Sequence, residues 1–247
     1  MSKKRFEYRF YRERHPFLAK IRKGIKYLAI LFVGYMAAQT FFIQTYRVDS
    51  IAMMPSYKPG DRVLASPLPI GAPIPFTHVR LPGFSPLRRG DVVVLRPPYA
   101  GEETLLGEVF QWMAGFITLQ NTWETKKPTD WIRSRVIKRI VGLPGDTIRV
   151  RNLEVLVKPK GTADFVSELS LAFSPYTLEK EGPRKGNMPE DLYRMESEEI
   201  LLGEDEFFVA SDHRSAALDS RVWGAIRREQ IRSKVLFVYW PLHRRGD

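Results

Sequence analysis

The chain has 247 residues, 44% of them hydrophobic, and no cysteine. It can bury one substantial core with an appendage, and it cannot form a disulfide, a thiolate nucleophile or a cysteine-ligated metal site. Residues 1 to 26 carry +8 of the net charge of +11, leaving +3 on the other 221 residues, so the pattern fits attraction to anionic lipid and argues against a nucleic-acid groove.

Residues 1 to 26 form a basic tail with Lys3, Lys4, Arg5, Arg9, Arg12, Arg14, Lys20, Arg22, Lys23 and Lys26 against Glu7 and Glu13. Residues 27 to 46, "YLAILFVGYMAAQTFFIQTY", contain no charge and lie between Lys26 and Arg47. As a helix they would span about 30 Å, the thickness of a bilayer's hydrocarbon core. The positive-inside rule predicts a cytoplasmic N-terminus and an extracytoplasmic domain over residues 47 to 247. A cleavable signal peptide is the competing reading; the apolar run is longer than a signal core and lacks an A-x-A site.

Three Gly-Asp pairs follow, in "PGDRVLA" at 59 to 65, "RRGDVVVL" at 88 to 95 and "LPGDTIRV" at 143 to 150. Gly supplies the unusual backbone angle and Asp the turn hydrogen bond, so each pair predicts a turn feeding a strand. Further strands are predicted at 134 to 143, 154 to 158, 205 to 210 and 234 to 240, which makes the fold mainly β. The Pro- and Gly-crowded residues 67 to 86 suit a structured loop laid over a surface. An apolar insertion at about 99 to 133 is too short to span and fits either a helix on the membrane or one packed on the sheet. The polar residues at about 175 to 200 suit a surface excursion between strands.

The apolar run leads directly into "VDSIAMMPSYKPGD" at 48 to 61, and "VIKRIVGLPGD" and "SDHRSAALDSRVWG" follow further along the chain. With "RRGDVVVLRPP", these segments resemble, in order and spacing behind a basic-flanked anchor, the bacterial type I signal peptidase family. Those are membrane-anchored serine proteases that remove signal peptides from exported proteins. The resemblance implies a β-rich catalytic domain with a Ser/Lys dyad and cleavage after small residues at −1 and −3. Signal peptides of preproteins and the lipid bilayer are the implied partners, and no cofactor is implied.

Carried over by position, Lys138 matches the general base. Such a base needs a pKa pulled down from about 10.4 by apolar surroundings, and on a strand Val136 and Ile140 would flank it while Arg139 points the other way. Ser50 matches the oxyanion-hole serine. Met53 and Ile137 match residues lining the family's substrate pockets, and Asp219 and Arg221 match a pair supporting the lysine, able to face one way if extended.

Two positions depart from the family pattern. The nucleophile serine is replaced by Ala52, and the serine that hydrogen-bonds the lysine is replaced by Ala217; nearby, a Gly and an Asn have become Ser211 and His213. A methyl group cannot attack a carbonyl, so the chain is expected to be a poor or inactive peptidase. The alternative is a non-catalytic protein that binds signal peptides or partners an active paralogous peptidase; a membrane scaffold using only the sheet is a third reading. Ser50, about 7 Å along a strand from Ala52 on the same face, and Ser56 are the substitute nucleophiles to weigh. Of the histidines, only His213 lies near the family motifs, where it suits loop hydrogen bonding, and no His/Asp/Glu spacing suggests a metal site.

Overall fold

The computed structural model describes residues 16–72, 74, 79–100, 113, 135–179, 196–215 and 218–241. Most of the basic tail, nearly all of the insertion, residues 180–195 of the polar excursion, His78, His243 and Ala217 lie outside the described residues.

Helix α1, Pro16–Ala37, continues through a π-helical turn, Ala38–Phe42, closed by Ile43 N–H donating to Ala38 C=O at 3.0 Å. Phe17–Phe42 is long and apolar enough to cross a membrane. These bounds differ from the expected span of residues 27 to 46. The helix already contains Lys20, Arg22, Lys23 and Lys26 and stops four residues earlier, because Gln44–Arg47 form strand β1 against β2, Arg62–Ser66. Thr45 and Tyr46 favour an extended, half-buried backbone, and the strand pairing satisfies its polar groups.

The three Gly-Asp turns share one construction. Gly60, Gly90 and Gly145 adopt φ of 96°, 93° and 84°, which a side chain would strain. Each following aspartate accepts a bond from the backbone N–H three residues earlier: Asp61 from Lys58, Asp91 from Arg88 and Asp146 from Leu143. Strands β2, β3 (Val92–Leu95) and β5 (Thr147–Arg151) follow directly. The remaining strands are β4 (Val136–Gly142), β6 (Glu154–Lys158), β7 (Val166–Ser167), β8 (Ile200–Leu201), β9 (Glu206–Ala210), β10 (Ile226–Arg227) and β11 (Ile231–Trp240). The fold is mainly β, as the Val- and Ile-rich runs predict.

A seven-stranded antiparallel sheet has the order β1-β2-β11-β3-β4-β9-β10, and a four-stranded one the order β7-β6-β5-β8. Strand β4 links the apolar clusters because its side chains alternate between faces. Val136 and Ile140 pack with Val93, Val209 and Ile231; Ile137 packs with Met53, Val92 and Val94; Val141 packs with Ile148, Leu202 and Phe208. At the end of β4, a Cβ on Gly142 would lie 2.7 Å from Ile148, 2.9 Å from Leu202 and 3.0 Å from Phe208, so only glycine allows the second core to close there.

Candidate functional site

Strand β4 delivers Lys138 to a dry position. The residue is 3% exposed, shares a face with Val136 and Ile140, stands opposite Val93 on β3, and has its ammonium 5.9 Å from the centre of the Trp223 ring. Burial pulls its pKa down to about 8; Asp219 and Asp212 favour the charged form and Arg221 opposes it, but desolvation prevails. Such an amine is substantially neutral in mildly alkaline solution and can accept a proton.

The lysine has a hydroxyl partner immediately after the neighbouring strand β9. Lys138 Nζ lies 2.7 Å from Ser211 Oγ, and Ser211 is fully buried. The sequence comparison of motifs flags Ser211 as a departure from glycine, and nothing local to either residue reveals the contact. It follows from the register: β4 and β9 pair Arg139 with Ala210 and Ile140 with Val209, so the next step puts Ser211 opposite Lys138 on the same face.

Asp219 and Arg221 meet beneath this pair, by a geometry other than two residues facing one way on a strand. Asp219 is the N-cap of the short helix Ser220–Trp223, and its Oδ1 accepts from Arg221 N–H at 3.1 Å. The guanidinium then folds back, Nε onto Oδ1 and an Nη onto Oδ2, both at 2.8 Å. Burial would raise the Asp219 pKa; the Arg221 charge and hydrogen bonds override it, with Lys138 and Arg214 assisting, and hold the carboxylate well below its usual range. Oδ2 also accepts from Ser211 N–H at 2.8 Å. The pair therefore fixes the backbone of the residue whose hydroxyl touches Lys138.

Ala52 sits in a single 3-10 turn, Ile51–Met53, so residues 50 to 52 do not run as a strand and the expected 7 Å same-face relation does not apply. Ser50 caps this turn, its Oγ accepting from Ala52 N–H at 3.1 Å. The two groups matching an oxyanion hole are thus adjacent and bonded to each other. The turn is tied to the last motif through His213 N–H, which donates to Ala52 C=O at 3.0 Å. Met53 is buried in the cluster containing Ile137. The His213 ring is buried, with Nδ1 3.3 Å from Ser215 Oγ.

Ser56 is bound elsewhere. Its Oγ accepts from Arg139 at 3.1 Å, and Arg139 occupies the face of β4 opposite Lys138, where it grips Asp212 with two hydrogen bonds and Gly90 C=O with a third. The Tyr176 ring stacks 4.0 Å from the same guanidinium. Ser56 therefore completes a structural ion-pair cluster and is not poised against Lys138. Among the described residues, no group of three His, Asp or Glu could hold a metal ion.

Comparison with known proteins adds a family context. The sequence model of the family described as signal peptidase, peptidase S26, matches residues 21–240. Similar proteins include signal peptidase I of Leptolyngbya laminosa, 24% identical over 92% of this chain and 83% of that protein. Probable signal peptidase I-2 of Synechocystis sp. is 30% identical over 48% of this chain and 47% of its own length. Signal peptidase I of Haemophilus influenzae is 25% identical over 89% of this chain and 68% of its own. A crystal structure of a signal peptidase I from Enterococcus faecalis is 19% identical, covers 62% of this chain and 97% of its own, and has a TM-score of 0.33.

Proposed function

The chain belongs to the signal peptidase S26 family, and we propose that it engages the signal peptides of exported preproteins at the Lys138 site but hydrolyses them poorly or not at all. The observation that carries this reading is the combination of a buried, pKa-depressed lysine with alanine at the nucleophile position. In this reading Lys138 is the general base, the Ser50 hydroxyl is an oxyanion donor joined by the backbone N–H of Ala52 once that N–H is released from Ser50 Oγ, and Ile137 contacts the small residues at −1 and −3 with the buried Met53 packed behind it. Asp219 and Arg221 hold the lysine's surroundings.

In the full Ser/Lys mechanism the neutral lysine removes the serine proton, the alkoxide attacks the scissile carbonyl and the oxyanion is met by fixed donors. Here the base has no hydroxyl to activate at position 52. What remains is positioning and oxyanion stabilisation, which in well-studied hydrolases leave about 10³- to 10⁴-fold acceleration over water. Retention of those parts supports a second reading, a protein that holds signal peptides or an active paralogous peptidase without cutting. The basic residues before and within the N-terminal part of the apolar helix support an N-terminus in the cytoplasm, with the sheet domain outside the cytoplasmic membrane.

The test incubates detergent-solubilised protein with a preprotein and follows both capture and cleavage, beside a preprotein carrying bulky residues at −1 and −3. Capture of the first substrate only, with little or no product, supports the proposal. Equal capture of both substrates, or turnover at ordinary enzymatic rates, overturns it.

A further inference from the structure

We infer that Ser211 is a positioning residue for Lys138, supplying from the position just after strand β9 the hydroxyl contact that Ala217 cannot make. The inference rests on the reading of Lys138 as the base and deepens it.

Among the described residues, every other neighbour of the ammonium leaves it unanchored or acts at a distance. Val136, Ile140 and Val93 are hydrocarbon, and the Trp223 ring offers its π-face at 5.9 Å. Both Asp219 oxygens are engaged by Arg221 and Ser211 N–H. Asp212, on the far side of the strand, is engaged by Arg139. Ser211 Oγ, at 2.7 Å, is the hydrogen-bonding partner of Nζ among the described residues.

The anchor is itself anchored. Arg221 holds Asp219, Asp219 Oδ2 holds Ser211 N–H, and the cross-strand register aims the Ser211 side chain at Nζ. A lysine on a four-carbon stem has many rotamers, and one short bond to a rigid hydroxyl selects among them. A hydroxyl suits both protonation states, accepting from the ammonium and donating to the amine. Complete burial of Ser211 also separates this role from that of a nucleophile, since no peptide carbonyl can reach its oxygen without opening the core.

Because hydrogen bonds to a charged donor are the stronger ones, loss of the hydroxyl removes more from the ammonium than from the amine, and Lys138 should then titrate lower. The test follows the ε-carbon resonance of ¹³C-labelled Lys138 against pH in the full-length detergent-solubilised protein, assigned with Lys138→Arg. Ser211→Ala and Ser211→Gly should lower the midpoint, and Ser211→Thr should retain it; a midpoint unchanged in Ala and Gly overturns the inference. This readout does not depend on peptidase activity, so it stands if the functional reading fails.

A second arm uses the Ala52→Ser background. There Ser211→Ala should lower kcat at least tenfold with little change in KM, and adding Ala217→Ser should recover it. Failure of Ala217→Ser to recover any kcat would reduce Ser211 to a packing residue. Labelling of Ser211 by a serine-directed covalent probe would likewise overturn the positioning role.

Discussion

Replacing Lys138 by methionine should stabilise the protein at neutral pH, and the gain should shrink as the solution is made alkaline. Lys138 is 3% exposed, and its pKa is drawn down to about 8 by burial. In the unfolded chain a lysine titrates near 10.4. Below about pH 8 the residue is charged in both states, and folding carries the full desolvation cost. Between about 8 and 10.4 the folded protein has released the proton that the unfolded chain still binds, so stability rises with pH. Above that range the residue is neutral in both states and the cost is gone. At about 1.4 kcal/mol per pKa unit the gap corresponds to about 3 kcal/mol. Methionine preserves an unbranched stem without charge, so the Lys138→Met advantage should be about 3 kcal/mol smaller at about pH 10.5 than at about pH 7. Urea unfolding of both proteins in the same detergent, compared at each pH, cancels the other titrating groups. An advantage that stays constant across that range would refute the account of Lys138 as a desolvated amine.

Asp219→Asn should destabilise the fold by about 3 to 5 kcal/mol in urea unfolding at neutral pH, because it leaves the buried Arg221 guanidinium without its counter-charge. The slope with pH has the same sign as for Lys138, because folding lowers both pKa values, but here a favourable contribution is lost instead of a cost: a depressed carboxylate contributes fully above its unfolded pKa, about 3.9, and its contribution falls as pH drops below that value. Wild type should therefore lose stability on acidification faster than Asp219→Asn, as urea midpoints at about pH 6 and about pH 3 would record. Gly142→Ala should cost about 1 to 3 kcal/mol by thermal or urea unfolding, since its Cβ would press on Ile148, Leu202 and Phe208. In Ala52→Ser, peptidase activity should rise through about pH 8 as Lys138 loses its proton, and kcat/KM against pH would show that limb.

Much of the sheet is legible in the sequence because its punctuation is local. A Gly with positive φ and an Asp bonding three residues back are properties of four consecutive positions, and all three such turns lead into strands. The end of the apolar helix is less legible. Residues 43 to 46 are as uncharged as residues 27 to 42 before them, and only pairing with Arg62–Ser66 makes them extended. Strand β11 reaches ten residues, past the apolar core of its predicted run, because both of its edges find partners.

At the site, the motifs indicate Lys138, Asp219 and Arg221, and the structure gathers these three together. Their contacts follow from geometry the motifs do not encode. Asp219 and Arg221 meet through a helix cap, Ser56 is drawn to Arg139, and Ser211 meets Lys138 through a strand register spanning 73 residues. A serine in place of glycine reads as divergence until the strands are paired.

The central claim is that the scaffold retains a working base and lacks only the hydroxyl it acts on. Its most direct test is the rate of preprotein cleavage by the unaltered chain, by Ala52→Ser and by Ala52→Ser with Lys138→Ala, measured under single-turnover conditions. The account predicts little or no product from the first, a gain of at least about 100-fold in the second, and loss of that gain in the third. Cleavage by the unaltered chain at the rate of Ala52→Ser, or a gain in Ala52→Ser that survives removal of Lys138, would contradict it.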